Sequence, residues 1–372
     1  MKVVHIITGL NNGGAEGVLY RLVTHDEENE HIIISMMDLG KYGPLLLERG
    51  LDVYCLNMKA GGISLASIYK LRRYLRRIDP DVVQTWMYHA DLIGGIVAKS
   101  LGIKKIFWNI RHSNFDENHT KASTIKIAKI NARLSKVIPK KIISCAQGAI
   151  KAHTDLGYDR EKIVVIGNGY DLSTFNINSN SRSAIREELN IGKHPVLGMV
   201  GRYDPQKNHE GLLEALSLIK KQGYNFDLVL VGRDLNEKNK ELLHKIKKLD
   251  LYDQVHLLDQ RSDIPNIMNA LDIHILSSSY GEGFPNVIAE AMACGTPCIA
   301  TDIGDSAVII GDSGWIVSEN NSEELANAII KGFQEKENEQ KWAIKIKSAR
   351  KRILDNFDIE IMVEKYNNVW KK

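Results

Sequence analysis

PVLGMVGRYDPQKNHEGLLEAL, residues 195–216, decides how this chain is built. PVLGMVG (195–201) is a short apolar run of the kind buried on both faces of a parallel sheet. GRYDPQKN (201–208) is polar and contains an Asp-Pro turn signal. An amphipathic helical pattern follows, expected over about 208–222. Strand, loop and helix in this order form the repeating unit of an α/β fold. The same unit recurs on both sides. Downstream, DLVLVG (227–232), QVHLLD (254–259), DIHILS (272–277) and TPCIAT (296–301) read as strands, with helices expected near 237–248, 285–294, 322–335 and 339–355. Upstream, KVVHIIT (2–8), IIISMMD (32–38), LDVYCLN (51–57), DVVQTWM (81–87), KKIFWNI (104–110) and KKIISCA (140–146) read as strands separated by helical patterns. Between the two series lies the polar, Asn/Ser-rich YDLSTFNINSNSRS (170–183). The expectation is therefore two doubly wound, Rossmann-like domains: 1–170 together with a terminal helix of about 357–372, a linker at 171–190, and 191–356. Ligands of such sheets bind beyond the carboxyl ends of the strands, so a cleft between the two domains is the expected site.

Composition narrows the function. The 372 residues are 44% hydrophobic and 26% charged with a net charge of +3, which gives no global argument for nucleic acid. The four cysteines are scattered and form no C-x-x-C; Cys294 and Cys298 read as small buried thiols rather than zinc ligands. MKVVHIITGL does not read as a signal peptide, and no apolar run approaches the ~18 residues of a membrane span. A cytoplasmic, reducing location is expected.

Several loops after strands carry chemistry. In GEGFPNVIAEAMACG (281–295), Pro285 suits a helix start and Gly295 its stop. Glu282 then lies in the loop, and Glu290 shares a helix face with Asn286. Gly281 and Gly283 let backbone approach a ligand, and the helix N-terminus is an anion site. Backbone for an anion, flanked by two carboxylates for hydroxyls, suits a sugar nucleotide. Arg202 and Lys207 stand between a strand and a helix, where two cations can hold a diphosphate. In NNGGAE (11–16), Gly13 and Gly14 either bring backbone N–H groups to a phosphate or make a plain tight turn; the spacing is neither G-x-G-x-x-G nor a P-loop. His89, in WMYHADLIGG (86–95), follows a strand, and Asp91 reads as a helix-start residue. Arg111 and His112, in NIRHSN (109–114), either contact a second substrate or belong to a structural loop. Asp79-Pro80-Asp81 has the D-x-D spacing of a metal site but precedes a strand, at the wrong end of the sheet, and reads as a turn. The stretches 69–77 and 119–141 are basic, with apolar sides. They read either as solvated faces or as helices resting on an anionic membrane.

GRYDPQKN followed by GEGFPNVIAEAMACGTPCIATD (281–302) resembles the family 4 retaining glycosyltransferases of the GT-B fold. Glu282 and Glu290 match that family's Glu-x7-Glu motif. The Gly-Gly-Ala-Glu loop (13–16), His-Ala-Asp (89–91), IGNGYDLSTF (166–175) and the terminal helix extend the resemblance along nearly the whole chain. It implies that Arg202 and Lys207 hold the donor diphosphate, with Gly14 contributing backbone. It further implies that Glu290 binds ribose, Glu282 binds the donor sugar, and Gly283, Phe284, Pro285 and Asn286 contact sugar and phosphate. Arg261 would lie against the base, and His89 would touch the transferred sugar or the acceptor. Glu16, Arg111 and His112 fall on the acceptor side. No metal and no cofactor is implied. WMYHADLIGG and NIRHSN are most similar to bacterial enzymes of surface polysaccharide synthesis. That implies a UDP-sugar, an N-acetylhexosamine or hexose, and a polyprenyl-diphosphate-linked acceptor at the inner membrane face. A sugar-nucleotide epimerase, a phosphorylase or a non-catalytic binding subunit of the same fold stays open.

Overall fold

Along VVHII (3–7) every side chain is buried, which only a strand covered on both sides permits. Val4 and Ile6 join one apolar layer and Val3 and Ile7 the other. A computed structural model describes residues 1–59, 64–111 and 121–372. They divide into a unit of Met1–Gly169 with Ile359–Lys372 and a unit of Tyr170–Asp358.

The first unit holds seven strands: β1 (Lys2–Ile7), β2 (Glu30–Ser35), β3 (Asp52–Cys55), β4 (Val82–Trp86), β5 (Ile106–Ile110), β6 (Lys141–Ser144) and β7 (Ile163–Val165). All pair in parallel, in the order β3-β2-β1-β4-β5-β6-β7. The order reverses between β1 and β4, so the loops after these strands frame the switch-point crevice. Helices Leu65–Ile78, Tyr88–Ser100 and Ala122–Leu134 cover one face. Helices Gly14–His25 and Ile359–Lys371 cover the other, so the end of the chain packs on the unit in which it began.

The second unit repeats the plan with six parallel strands: β8 (Val196–Val200), β9 (Asp227–Val231), β10 (Val255–Leu257), β11 (Ile273–Leu276), β12 (Cys298–Thr301) and β13 (Trp315–Val317). Their order is β10-β9-β8-β11-β12-β13, with the switch point between β8 and β11.

Three expectations change. Residues 171–190 are not simply a linker. Asn178 caps a helix, Ser179–Glu188, through bonds from the Asn180 and Ser181 amides, and Arg182 and Arg186 clamp the buried Asp272 at 2.6 and 2.8 Å. That helix is part of the second unit. The basic stretch 119–141 is not one helix. Its described part is helical only over Ala122–Leu134, Pro139 bars continuation, and Lys141 already belongs to β6. Asp91 lies in the first turn of helix Tyr88–Ser100 but does not cap it, the cap position being Met87. It is fully buried, and its carboxyl accepts a 2.5 Å bond from Thr85. Asp81 meanwhile accepts from the Lys2 amide at 2.7 Å, a structural task for the D-x-D run. Among the described residues no helix is long and apolar enough to cross a membrane.

Candidate functional site

At the switch point of the second unit, the loop after β8 and the loop after β11 lie against each other. Pro205–Lys207 forms a single 3-10 turn, started by an Asp204 side chain that accepts from the Gln206 amide. Asn208, at φ +51, then caps helix His209–Lys221. The Gln206 carbonyl accepts from the Ser279 amide at 2.8 Å, and the Lys207 carbonyl accepts from Ser277 Oγ at 2.9 Å. This lacing brings Lys207 Nζ within 2.6 Å of Glu282 Oε1, the same oxygen that Ser278 Oγ bonds at 2.6 Å. The pair is almost enclosed, with side chains 12% and 9% exposed. Burial and the Lys207 charge hold two neighbouring imidazoles neutral, with His274 lowered to about 3 and His209 to about 4. Neither ring nitrogen of either histidine has a hydrogen-bond partner among the described residues.

Beyond Glu282 the Gly283 carbonyl accepts from the Asp305 amide at 2.8 Å. Phe284 packs edge-on against Phe357, with centroids 5.4 Å apart. Pro285 precedes helix Asn286–Ala293. Asn286 accepts from the buried Tyr170 hydroxyl at 2.6 Å, and Glu290 lies half-buried one turn further along. Lys207, Glu282, Gly283, Phe284, Pro285, Asn286 and Glu290 thus follow one another along two adjoining loops and a helix. Arg202 stands in the first loop, half-exposed, and bonds Asp204 at 2.9 Å and Gln206 at 3.0 Å. Arg261 is apart from this group by its bonds: it is locked between Glu188 and Asp263.

In the first unit, Met87 takes φ +71 and ψ 158 between β4 and the next helix, a conformation non-glycine residues rarely adopt. His89 follows it, half-buried, and burial lowers its proton affinity. Gly13 is extended and Gly14 opens helix Gly14–His25. The Glu16 carboxylate folds back over Gly13 so closely that a Cβ there would collide with it. Burial raises the Glu16 pKa, and the field of Arg111 opposes that rise. Arg111 bonds Asn168 and, at 2.9 Å, the Tyr366 hydroxyl, and it lies over the Trp86 ring at 4.8 Å. Glu16 and Arg111 are therefore in electrostatic contact. His112 lies outside the described residues.

Residues 12–174 match the model described as Glycosyltransferase Family 4, and residues 181–349 match Glycosyl transferases group 1. The chain belongs to the GT-B glycosyltransferases. This glycosyltransferase is similar to an Escherichia coli protein named UDP-Gal:alpha-D-GlcNAc-diphosphoundecaprenol alpha-1,3-galactosyltransferase. The two are 27% identical over 311 residues, covering 82% of this chain and 78% of that one. It is also similar to a Campylobacter jejuni protein named N,N'-diacetylbacillosaminyl-diphospho-undecaprenol alpha-1,3-N-acetylgalactosaminyltransferase, at 26% over 340 residues, covering 86% and 87%. Among solved structures, HepE of Anabaena in complex with UDP has the same fold, with a TM-score of 0.87, 23% identity and 100% of each chain covered.

Residues of the glycosyltransferase that sequence reasoning passed over are those that hold others. Ser278 bonds Glu282, Tyr170 bonds Asn286, and Asn168 and Tyr366 bond Arg111. Asn168 and Tyr170 stood in the motif IGNGYDLSTF without an assigned task. Tyr366 gave no signal, since an aromatic in an amphipathic helix reads as core.

Proposed function

We propose that this glycosyltransferase moves a sugar from a UDP-sugar to a polyprenyl-diphosphate-linked glycan, with retention at the anomeric carbon and without a metal ion. The observation that carries the reading is the enclosed Lys207–Glu282 pair at the switch point of the second unit, 2.6 Å across. It joins a cation suited to phosphate with an acceptor suited to sugar hydroxyls. The Escherichia coli and Campylobacter jejuni relatives, both named for action on diphosphoundecaprenol-linked sugars, support the acceptor class. UDP bound by HepE supports the nucleotide.

In this reading Lys207 and Arg202 bind the diphosphate, Glu282 the sugar hydroxyls, Glu290 the ribose and the backbone from Gly283 to Asn286 the remaining oxygens. Arg261, with its charge already met by Glu188 and Asp263, offers the base its flat face. The acceptor hydroxyl attacks the anomeric carbon as the bond to the phosphate oxygen breaks. That oxygen takes the hydroxyl proton on the same face of the sugar, so no separate carboxylate base is required. The protein contributes positioning and stabilisation of the departing charge.

Arg73, Arg76 and Arg77 on one helix of the first unit, and Lys126, Lys129 and Arg133 on another, are exposed, as are the apolar Leu65, Tyr69 and Ile130. This surface suits anionic lipid, each cation contributing about 1 kcal/mol near the membrane.

The test combines the protein, a chelator, UDP-hexoses or UDP-N-acetylhexosamines, and a short-chain polyprenyl-diphosphate-linked N-acetylglucosamine. A disaccharide with the donor's anomeric configuration is expected. Conversion of donor without acceptor, or an inverted product, would refute the reading. Reversing the charges of Arg73, Arg76 and Arg77 together is expected to reduce sedimentation with phosphatidylglycerol vesicles and leave turnover of a soluble acceptor unchanged.

A further inference from the structure

The arginines in the candidate loops are held in two different ways. Arg202 bonds Asp204, and Arg261 bonds Glu188 and Asp263, so their charges are met by carboxylates. Arg111 is fixed by neutral groups. One guanidinium nitrogen donates to the Asn168 side-chain carbonyl and the other to the Tyr366 hydroxyl, while the Trp86 ring lies beneath the plane. Its Nε is buried and has no hydrogen-bond partner among the described residues. The carboxylate that acts on it is Glu16, half-buried and folded over its own helix N-terminus. Among the described residues, three neutral contacts therefore spend rotamer entropy on this cation just past the carboxyl end of β5, and Glu16 acts on it through its field without bonding it. Such an arrangement suits a planar fork kept ready for an oxyanion.

The fixing residue comes from the far end of the chain. Tyr366 is fully buried, and its oxygen accepts from Asn109 Nδ2 at 2.7 Å as well as from Arg111 at 2.9 Å. Its helix is pinned nearby by Trp370 Nε1 donating to Gln84 at 3.0 Å and by Asn367 Nδ2 donating to Asp26 at 3.2 Å. With Asn109 on one side and Trp86 stacked parallel on its ring, Tyr366 has one orientation, and so has the oxygen that Arg111 meets.

We propose that Arg111 receives an oxygen of a bound diphosphate and that Tyr366 of the terminal helix is its positioning residue. This rests on the transferase reading above for the ligand class. The diphosphate is that of the lipid-linked acceptor or that of the nucleotide sugar, and the two are separable.

The experiment uses the full-length protein, calorimetry and two probes, UDP and a soluble geranyl-diphosphate-linked N-acetylglucosamine. Arg111→Gln is expected to weaken one probe at least about tenfold, and Tyr366→Phe, which keeps the ring, to weaken the same probe about fivefold. A loss on the geranyl probe assigns the acceptor, and a loss on UDP assigns the donor. The affected affinity also becomes less sensitive to salt in Arg111→Gln, which loss of packing alone would not produce. Unchanged affinity for both probes in Arg111→Gln overturns the receptor role. An affinity lost in Arg111→Gln but retained in Tyr366→Phe overturns the positioning role. Should Arg111→Gln not fold, Tyr366→Phe and Asn168→Ala carry the test, and wild-type affinity in both refutes it. Diphosphate binding that depends on Arg111 in a protein that transfers no sugar refutes the transferase reading and leaves this one standing.

Discussion

Lys207 and Glu282 neutralise each other at 2.6 Å behind side chains that are nearly closed to water. The pair therefore has two consequences that must be measured separately. Removing Lys207 takes the paired cation from a buried carboxylate that Ser278 Oγ also bonds, which costs about 3 kcal/mol of stability. On the diphosphate role proposed for Lys207, the same removal takes a cation from the departing phosphate and is expected to lower turnover about a hundredfold. Lys207→Met is thus expected to lower both the urea midpoint and kcat. The double variant Lys207→Met with Glu282→Gln is expected to regain most of the stability and none of the turnover. If the double variant is as unstable as the single one, the ion pair is not what links the two loops. A glycine beside the pair gives a second prediction. Gly304 has φ +62, and a Cβ on it would lie 2.5 Å from the Glu282 and Gly283 carbonyl oxygens. Gly304→Ala must push the Glu282 loop outward, so the expected outcome is weaker UDP binding by calorimetry with a reduced melting temperature. Unaltered UDP affinity would detach this loop from the donor.

The terminal helix Ile359–Lys371 packs Ile359, Met362, Val363, Tyr366 and Trp370 into the first unit. Trp370 is fully buried, touches His5 and donates to Gln84. Trp370→Ala is therefore expected to cost about 3–5 kcal/mol, read from denaturant unfolding, through cavity and lost bond together. A cost below about 1 kcal/mol would mean the helix is not anchored there. This helix was legible in the sequence as an amphipathic segment, as were eleven of the strands, because long apolar runs between polar loops leave few alternatives. β7 and β13 were not: three residues such as Ile163–Val165 carry no periodicity, and the equally short β10 was reached only as part of the run QVHLLD (254–259). Helix Ser179–Glu188 was hidden by its own cap: Asn178 and its serines read as linker until Asn178 is seen to accept from two amides. The loops that carry Lys207 and Glu282 could be singled out in the sequence, because these are polar residues in apolar surroundings after strands. The supports were not: Tyr170 and Tyr366 become informative only when distant segments meet, and Ser278 only when the turn between it and Glu282 is seen.

Across the whole molecule, burial keeps several titratable groups in their neutral form, and this sets how the fold responds to acid. In the first unit the Trp86 indole N–H donates to His5 Nδ1 at 3.1 Å. His5 Nε2 must then carry the hydrogen and donate to His31 Nδ1 at 2.9 Å, and His31 Nε2 donates to Asp26 at 3.0 Å. Every ring nitrogen in this chain is already engaged, so a further proton breaks a bond. Burial, then the neighbouring His31, lowers the His5 pKa well below 6.5. Although burial opposes it, bonds from His31, Asn29 and Asn367 hold Asp26 at about 2, so its contribution is lost only as pH falls through that value. In the second unit His209 and His274 sit at about 4 and about 3. Below pH ~6.5 the unfolded chain takes up protons that these three histidines refuse when folded, and stability falls by about 1.4 kcal/mol per pH unit for each. Two carboxyls work against them, Glu16, whose pKa burial raises, and Asp91. Burial raises Asp91 well above 3.8, so the folded state holds a proton that the unfolded state has released, and this penalty shrinks as pH falls toward 3.8. The histidines of lowered proton affinity, His89 among them, outnumber the two raised carboxyls, so the net outcome is a loss of stability as pH falls from about 6 toward 4. Urea unfolding at half-unit steps is expected to show that loss, and Asp91→Asn is expected to steepen it by removing an opposing contribution. A flat profile over this range would mean that the buried imidazoles are charged in the folded protein, and an Asp91→Asn slope no steeper than wild type would mean that Asp91 is ionised there.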